Sequence, residues 1–239
     1  MVSRTSRAIA GVLFLGVAVV IATGWWKPST ASANDTVTEP LRHVEIDNDS
    51  GDVSIRAEDV ETTTVNQELR YHWDEPDTAF EVKDGTLELD GCGWRCDVSY
   101  EVVVPLGTTV SGSVDSGSIV LDGVADVDVD ADSGSITLSD IDGSVVADAD
   151  SGSITGNGLS GPIEVDADSG KIELALNKPS DVTAQADSGS IELTVPDVAY
   201  NVSSQVDSGG EEIDVRTDPD SPHLLDLDAD SGSITVRTG

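Results

Sequence analysis

The sequence predicts an all-β protein: a right-handed parallel β-solenoid of stacked coils of about 18 residues, with an N-terminal β cap and one N-terminal membrane helix. Three observations carry this reading. The tripeptide Asp-Ser-Gly recurs from Asp49, Asp115, Asp132, Asp150, Asp168, Asp187, Asp207 and Asp230, and from Asp115 the steps are 17, 18, 18, 19, 20 and 23 residues. The residues around it fall into columns of like type. Between the columns, apolar and polar residues alternate with the period of two of a half-buried strand, as in Val127-Asp128-Val129-Asp130-Ala131.

The columns set the register. One place before each Asp stand Val114, Ala131, Ala149, Ala167, Ala186, Val206 and Ala229; four places after it stand Ile119, Ile136, Ile154, Ile172, Ile191 and Ile234. Both columns must face inward. The Asp207 copy departs, with Glu211 in the isoleucine place and Ile213 two residues late. The tripeptide reads as a corner, with glycine free to take positive φ and the Asp carboxylate accepting turn amides. Two other arrangements compete. A left-handed helix of hexapeptides fails, because six-residue steps from Ile136 reach Asp142 and Asp148. Antiparallel hairpins ending in a sandwich fit near-equal spacing and in-register identity less well than parallel stacking. Right-handedness follows the rule for parallel crossovers.

Composition divides the chain. From residue 102 onward Tyr200 is the sole aromatic, so the repeat half is packed by Val, Ile, Leu and Ala. Residues 35–100 hold Trp73, Trp94, Phe80, Tyr71 and a hairpin signal at Asp84-Gly85. The expected division is residues 1–27 as signal or membrane anchor, 28–38 as linker and 39–239 as one solenoid domain, within which 39–110 form the cap and 111–239 the repeats.

Residues 8–26 carry no formal charge, follow Arg4 and Arg7, and end in Trp25, Trp26 and Lys27. That pattern exports everything after it. Retained, the segment is a single-pass anchor with the C-terminal domain outside; the alternative is a secreted chain, cleaved after Ala33 in Ala31-Ser32-Ala33. In an exported protein Cys92 and Cys96 are expected to form one short-loop disulfide, since the scattered His43, His72 and His223 complete no metal site.

With 12 basic and 46 acidic residues the net charge is −34. Such a chain repels phosphate backbones, so nucleic acid is excluded as a partner. Outward positions stack acids in rows, and Asp130, Asp148 and Asp166 form the candidate calcium column, hard cations wanting several oxygens. Solvated carboxylates are the competing reading. Asp128-x-Asp130-x-Asp132 imitates a calcium loop, but Gly134 falls at its seventh place instead of the sixth, and Ser139 stands where the closing Glu belongs. No catalytic residue, cofactor or phosphate loop is indicated. Carboxylates abound without a defined pair, and sugar-stacking aromatics are missing from the repeat half. Sequons begin at Asn34, Asn48 and Asn201.

Cys92-x-x-x-Cys96 leading into Val102-Val103-Val104-Pro105-Leu106-Gly107, followed by Asp-Ser-Gly-Ser-Ile units, resembles the bacterial exported β-strand-repeat "putative adhesin" family, a domain of unknown function. The resemblance covers residues 39–239. It implies a right-handed parallel β-solenoid on the cell surface and lends no catalytic residue. The expected protein is therefore a non-enzymatic envelope protein for adhesion, interaction or structural display, meeting a surface ligand or protein that the sequence leaves unidentified. Its alternatives are a calcium-responsive acidic module and a carbohydrate-active β-helix enzyme. End-to-end self-association through the coil beyond Asp230 is a further expectation, because a final coil without a cap leaves an open edge.

Overall fold

The computed structural model describes residues 13–14, 28–72, 76 and 78–239. Leu13–Phe14 (β1) pairs antiparallel with Ser29–Val37 (β2). His43–Ser50 (β3) and Val53–Glu58 (β4) meet at the first Asp-Ser-Gly corner. Thr63–Tyr71 (β5), Phe80–Lys83 (β6), Thr86–Asp90 (β7) and Cys96–Pro105 (β8) follow. The repeats begin with Thr109–Ser116 (β9), Ile119–Asp122 (β10), Val127–Ser133 (β11), Ile136–Ser139 (β12), Val145–Ser151 (β13) and Ile154–Leu159 (β14). Thereafter strands run unbroken through the corner: Ile163–Leu176 (β15), Val182–Val195 (β16) and Ala199–Asp214 (β17). Arg216–Thr217 (β18) and Leu224–Thr238 (β19) end the chain.

Stacking is parallel throughout the repeats, so the antiparallel alternative is confined to the cap. Ala131 lies beside Ala149 and Ile136 beside Ile154, and the same columns continue through β15, β16 and β19. Alternation decides which face is wet: in β11, Val127, Val129 and Ala131 are buried while Asp128 and Asp130 are exposed. The isoleucine column from Ile119 to Ile234 is fully buried, and the small-residue column is buried at Val114, Ala131, Ala149, Ala167, Ala186 and Ala229, with Val206 half-buried on the outermost coil. One apolar core runs from Val37 in the cap to Val236.

The corner glycines answer two needs: Gly51, Gly117 and Gly209 take the expected positive φ, at 119°, 147° and 156°, while the others are required by the neighbouring coil. A Cβ on Gly134, Gly152, Gly170 or Gly189 would lie 1.6 Å from the carbonyl oxygen of the glycine one coil earlier. None of these four has positive φ. Glycine is needed because stacked backbones touch at the corner. Serines bridge the same corners, the Ser153 amide donating to Ser135 Oγ and the Lys171 amide to Ser153 Oγ. The corner aspartates accept no backbone amide among the described residues; Asp207 accepts from the Gln205 side chain. Amides go instead to Asp52, Asp126 and Asp181, which bind the amides of Ser118, Ser144 and Leu224.

The order of coils also differs from sequence order. Along the stack it runs β7–β8, β3–β4, β9–β10, β11–β12, β13–β14, β15, β16, β19, β17. The Asp49 coil lies between β7–β8 and the first repeat coil, so within residues 39–110 the coil order is reversed while the segment stays together at one end of the stack. At the far end β19 slides between β16 and β17, which corrects the open edge beyond Asp230: the outermost coil is β17. There Glu211 faces Ile234 and Ile213 faces Val236, so the misplaced isoleucine is in register with the next inward position. An acid at an inward place on an edge strand blocks further pairing. Glu211→Ile is expected to make the protein associate with rising concentration in sedimentation equilibrium, where the native chain stays smaller; identical mass for both at every concentration would refute this.

In the cap, β5 pairs antiparallel with β8 and β2 with β5, while β6 and β7 form the Asp84-Gly85 hairpin with positive φ at both turn residues. Residues 29–37, expected in a linker, are this strand β2: Val37 and Asp35 are buried under it, so the segment has an inward face to bury. The anchor expected over residues 1–27 lies outside the described residues except for Leu13–Phe14. That pair is extended and hydrogen-bonded to β2, not helical, and no helix among the described residues is long and apolar enough to cross a membrane. Trp73 also lies outside the described residues.

Candidate functional site

The outward carboxylates come into register as expected, but in short runs. Asp130 pairs with Asp148 and Asp148 with Asp166; Ser113 and Gln185 end the row. The neighbouring column interrupts its acids with Val146 and Thr183. Desolvation beside the stacked strands pushes the Asp130 carboxyl above the usual range although its side chain is exposed, and Asp128, Asp132 and Asp150 add to it. Burial likewise raises Asp148, with Asp130 and Asp166 adding, and Asp166, with Asp168 and Asp187 adding. Among the described residues no three His, Cys, Asp or Glu side chains are gathered as a cation would need. Parallel stacking spreads the acids in a line about 4.8 Å apart instead of folding them round a point.

These shifts fix a pH dependence. Asp35 and Asp90 are raised too, burial being the main cause in both. A carboxyl whose folded pKa is raised destabilises the fold while ionised, and protonation relieves that penalty. Asp126, Asp142 and Glu173 are lowered, by Ser144, Lys178 and Lys171 respectively, and act in the opposite sense, but all three are on the surface. The melting temperature is therefore expected to rise as pH falls from neutral toward the ordinary aspartate value of about 3.9. Added sodium chloride should raise it at pH 7 and do little near pH 4. A melting temperature that falls steadily across this range would overturn the assignment.

The cap presents a second, chemically different surface. In the β2–β5–β8 sheet Thr63, Val65, Gln67, Leu69 and Tyr71 are buried, so the intervening residues face outward. Asn34 stands opposite Asn66 and Asn66 opposite Glu101; Ser32 stands opposite Glu68 and Glu68 opposite Ser99. Those six residues line a groove of about 320 Å³. Asn34 and Asn66 are hydrogen-bonded through their amides, and Ser99 Oγ accepts the Asp52 amide. Beneath the sheet, Gln67 Oε1 accepts the Ala79 amide, while Asp35 and Thr63 are buried beside it, Asp35 Oδ2 having no partner among the described residues.

Beyond Cys96 the sheet ends in a five-residue loop closed by the Cys92–Cys96 disulfide, as expected, with Cα atoms 5.5 Å apart. Gly93 and Arg95 have positive φ, and the loop holds out Trp94, 87% exposed, with the Arg95 guanidinium 4.4 Å from its ring centre. Sequence reasoning took the disulfide from this loop and passed over its tryptophan. The groove had no sequence signal, since its residues come from three strands outside the repeat. Of the three sequons, Asn48 is buried and donates to the carbonyls of Gly51 and Val98, so it is no glycan acceptor.

Fold and surfaces together define an acidic parallel β-solenoid with an antiparallel cap. The chain belongs to the Toastrack DUF4097 family, whose sequence model matches residues 36–237. Among solved structures it is similar to a "putative adhesin" from Bacteroides fragilis, at 13% identity and a TM-score of 0.46, covering 87% of this chain and 97% of that one. It is also similar to one from Parabacteroides merdae, at 12% and 0.46, covering 87% and 96%. A "putative cell adhesion protein" from Clostridium sporogenes aligns at 11% and 0.38, covering 89% and 100%. No curated protein matches the chain.

Proposed function

We propose that this is a non-enzymatic surface protein that works outside the cytoplasm, exported by its N-terminal segment, and that the stack is a stiff support presenting its cap to a partner. The observation that carries the reading is the exposed Trp94 on a loop closed by a disulfide. Tryptophan is the side chain most often found at the energetic centre of protein contacts, and one held out on a covalently closed loop loses little freedom when a partner covers it. The disulfide suits an oxidising compartment. Nine coils about 4.8 Å apart give a rod of roughly 40 Å, long enough to hold the cap away from its far end. The outward carboxylates keep the rod soluble and apart from its copies.

Cells lacking the chain should attach less to their normal substratum, and complementation with the native chain should restore attachment. Protease added to intact cells should remove the protein. Unchanged attachment in the deletion strain, or full protection from external protease, would overturn the reading.

A further inference from the structure

The outward face of the β2–β5–β8 sheet carries amides, hydroxyls and three carboxylates where the repeats carry rows of aspartate. From Glu101 to Cys96 it runs about 17 Å along β8, and the Trp94 loop begins at that end. Asn34 and Asn66 offer both donors and acceptors, Ser32 and Ser99 offer hydroxyls, and Glu68 and Glu101 are acceptors in no ion pair among the described residues. This is a donor and acceptor set for a ligand that is itself a dense array of hydroxyls. A flat ring with one face under Arg95 leaves the other for the apolar face of a sugar. The groove lies at the small end of the range for small-ligand sites.

The charge selects among ligands. Glu68, Glu101 and Asp97 outnumber Arg70 on this face, opposing an acidic polysaccharide as they oppose nucleic acid. We propose that the groove and Trp94 together form a binding face for a neutral oligosaccharide, the groove bonding its hydroxyls and the ring stacking on one of its units. This rests on the adhesion reading, for which it supplies the class of partner.

The test is retention of the full chain on an immobilised panel of neutral oligosaccharides, beside sialylated and uronic-acid-bearing ones, with and without EDTA. The expected result is retention by at least one neutral oligosaccharide, insensitive to EDTA. It should weaken about tenfold in both Trp94→Ala and Glu68→Ala, with melting temperatures unchanged because both side chains are exposed. Failure to retain any neutral glycan, preference for acidic ones, loss in EDTA, or native retention by both variants would each overturn the proposal. If cells still need the chain to attach while the panel stays blank, the glycan assignment fails and the adhesion reading stands. Retention on the panel by a chain that cells do not need for attachment fails the adhesion reading alone.

Discussion

Gly152→Ala is expected to abolish folding. The added methyl would sit 1.6 Å from the Gly134 carbonyl oxygen and 2.6 Å from its carbon, both backbone atoms that no rotamer change can move. The two coils would have to part at the corner, which breaks register in β13–β14 against β11–β12 on both sides of the tripeptide. Losses above about 4–5 kcal/mol come from such mechanisms, and a domain has about 5–15 kcal/mol in total. Gly210→Ala is the control. It occupies the outermost coil with nothing within 4 Å of its Cβ position and no positive φ, so a neutral or slightly stabilising effect is expected. Urea melts of the two variants check the pair; native-like stability in Gly152→Ala would show that the corner can open.

Ile154→Ala should cost the next most. Ile154 is fully buried and sits in register between Ile136 and Ile172. Its neighbours above and below are fixed by backbone hydrogen bonds one strand spacing away, so the walls of the cavity cannot close. The expected loss is at the upper part of the 2–5 kcal/mol range for such truncations. Ile213→Ala, half-buried on the terminal coil, should cost only about 1 kcal/mol. Equal losses at the two positions in denaturant titrations would contradict the placement of β17 at the edge.

Much of this architecture was legible because a solenoid writes its register into the sequence. The alanine and isoleucine columns, the parallel pairing and the corner position of Asp-Ser-Gly all follow from like residues stacking on like. The order of coils was not legible for the same reason: β19 fits against β16 as well as β17 would, and the column pattern does not change when two coils exchange places. Glu211 was the available clue, since an inward acid belongs on an end coil and the Asp207 copy is not the last in sequence. The role of the glycines was half legible: Gly51, Gly117 and Gly209 take the positive φ that tripeptide turns suggest, whereas at Gly134, Gly152, Gly170 and Gly189 the requirement comes from the neighbouring coil, which local sequence does not show. The cap surface was invisible for a third reason: its strands come from separate, non-repeating segments.

The insertion of β19 between β16 and β17 has a consequence for biosynthesis. β17 precedes β19 along the chain, so it forms while the strand it finally lies against does not yet exist, and the edge of β16 at Ile191 and Leu193 offers it a rival place until β19 arrives. β19 acts as a wedge between the two. Until β19 is in place the body keeps a sticky, unfinished end.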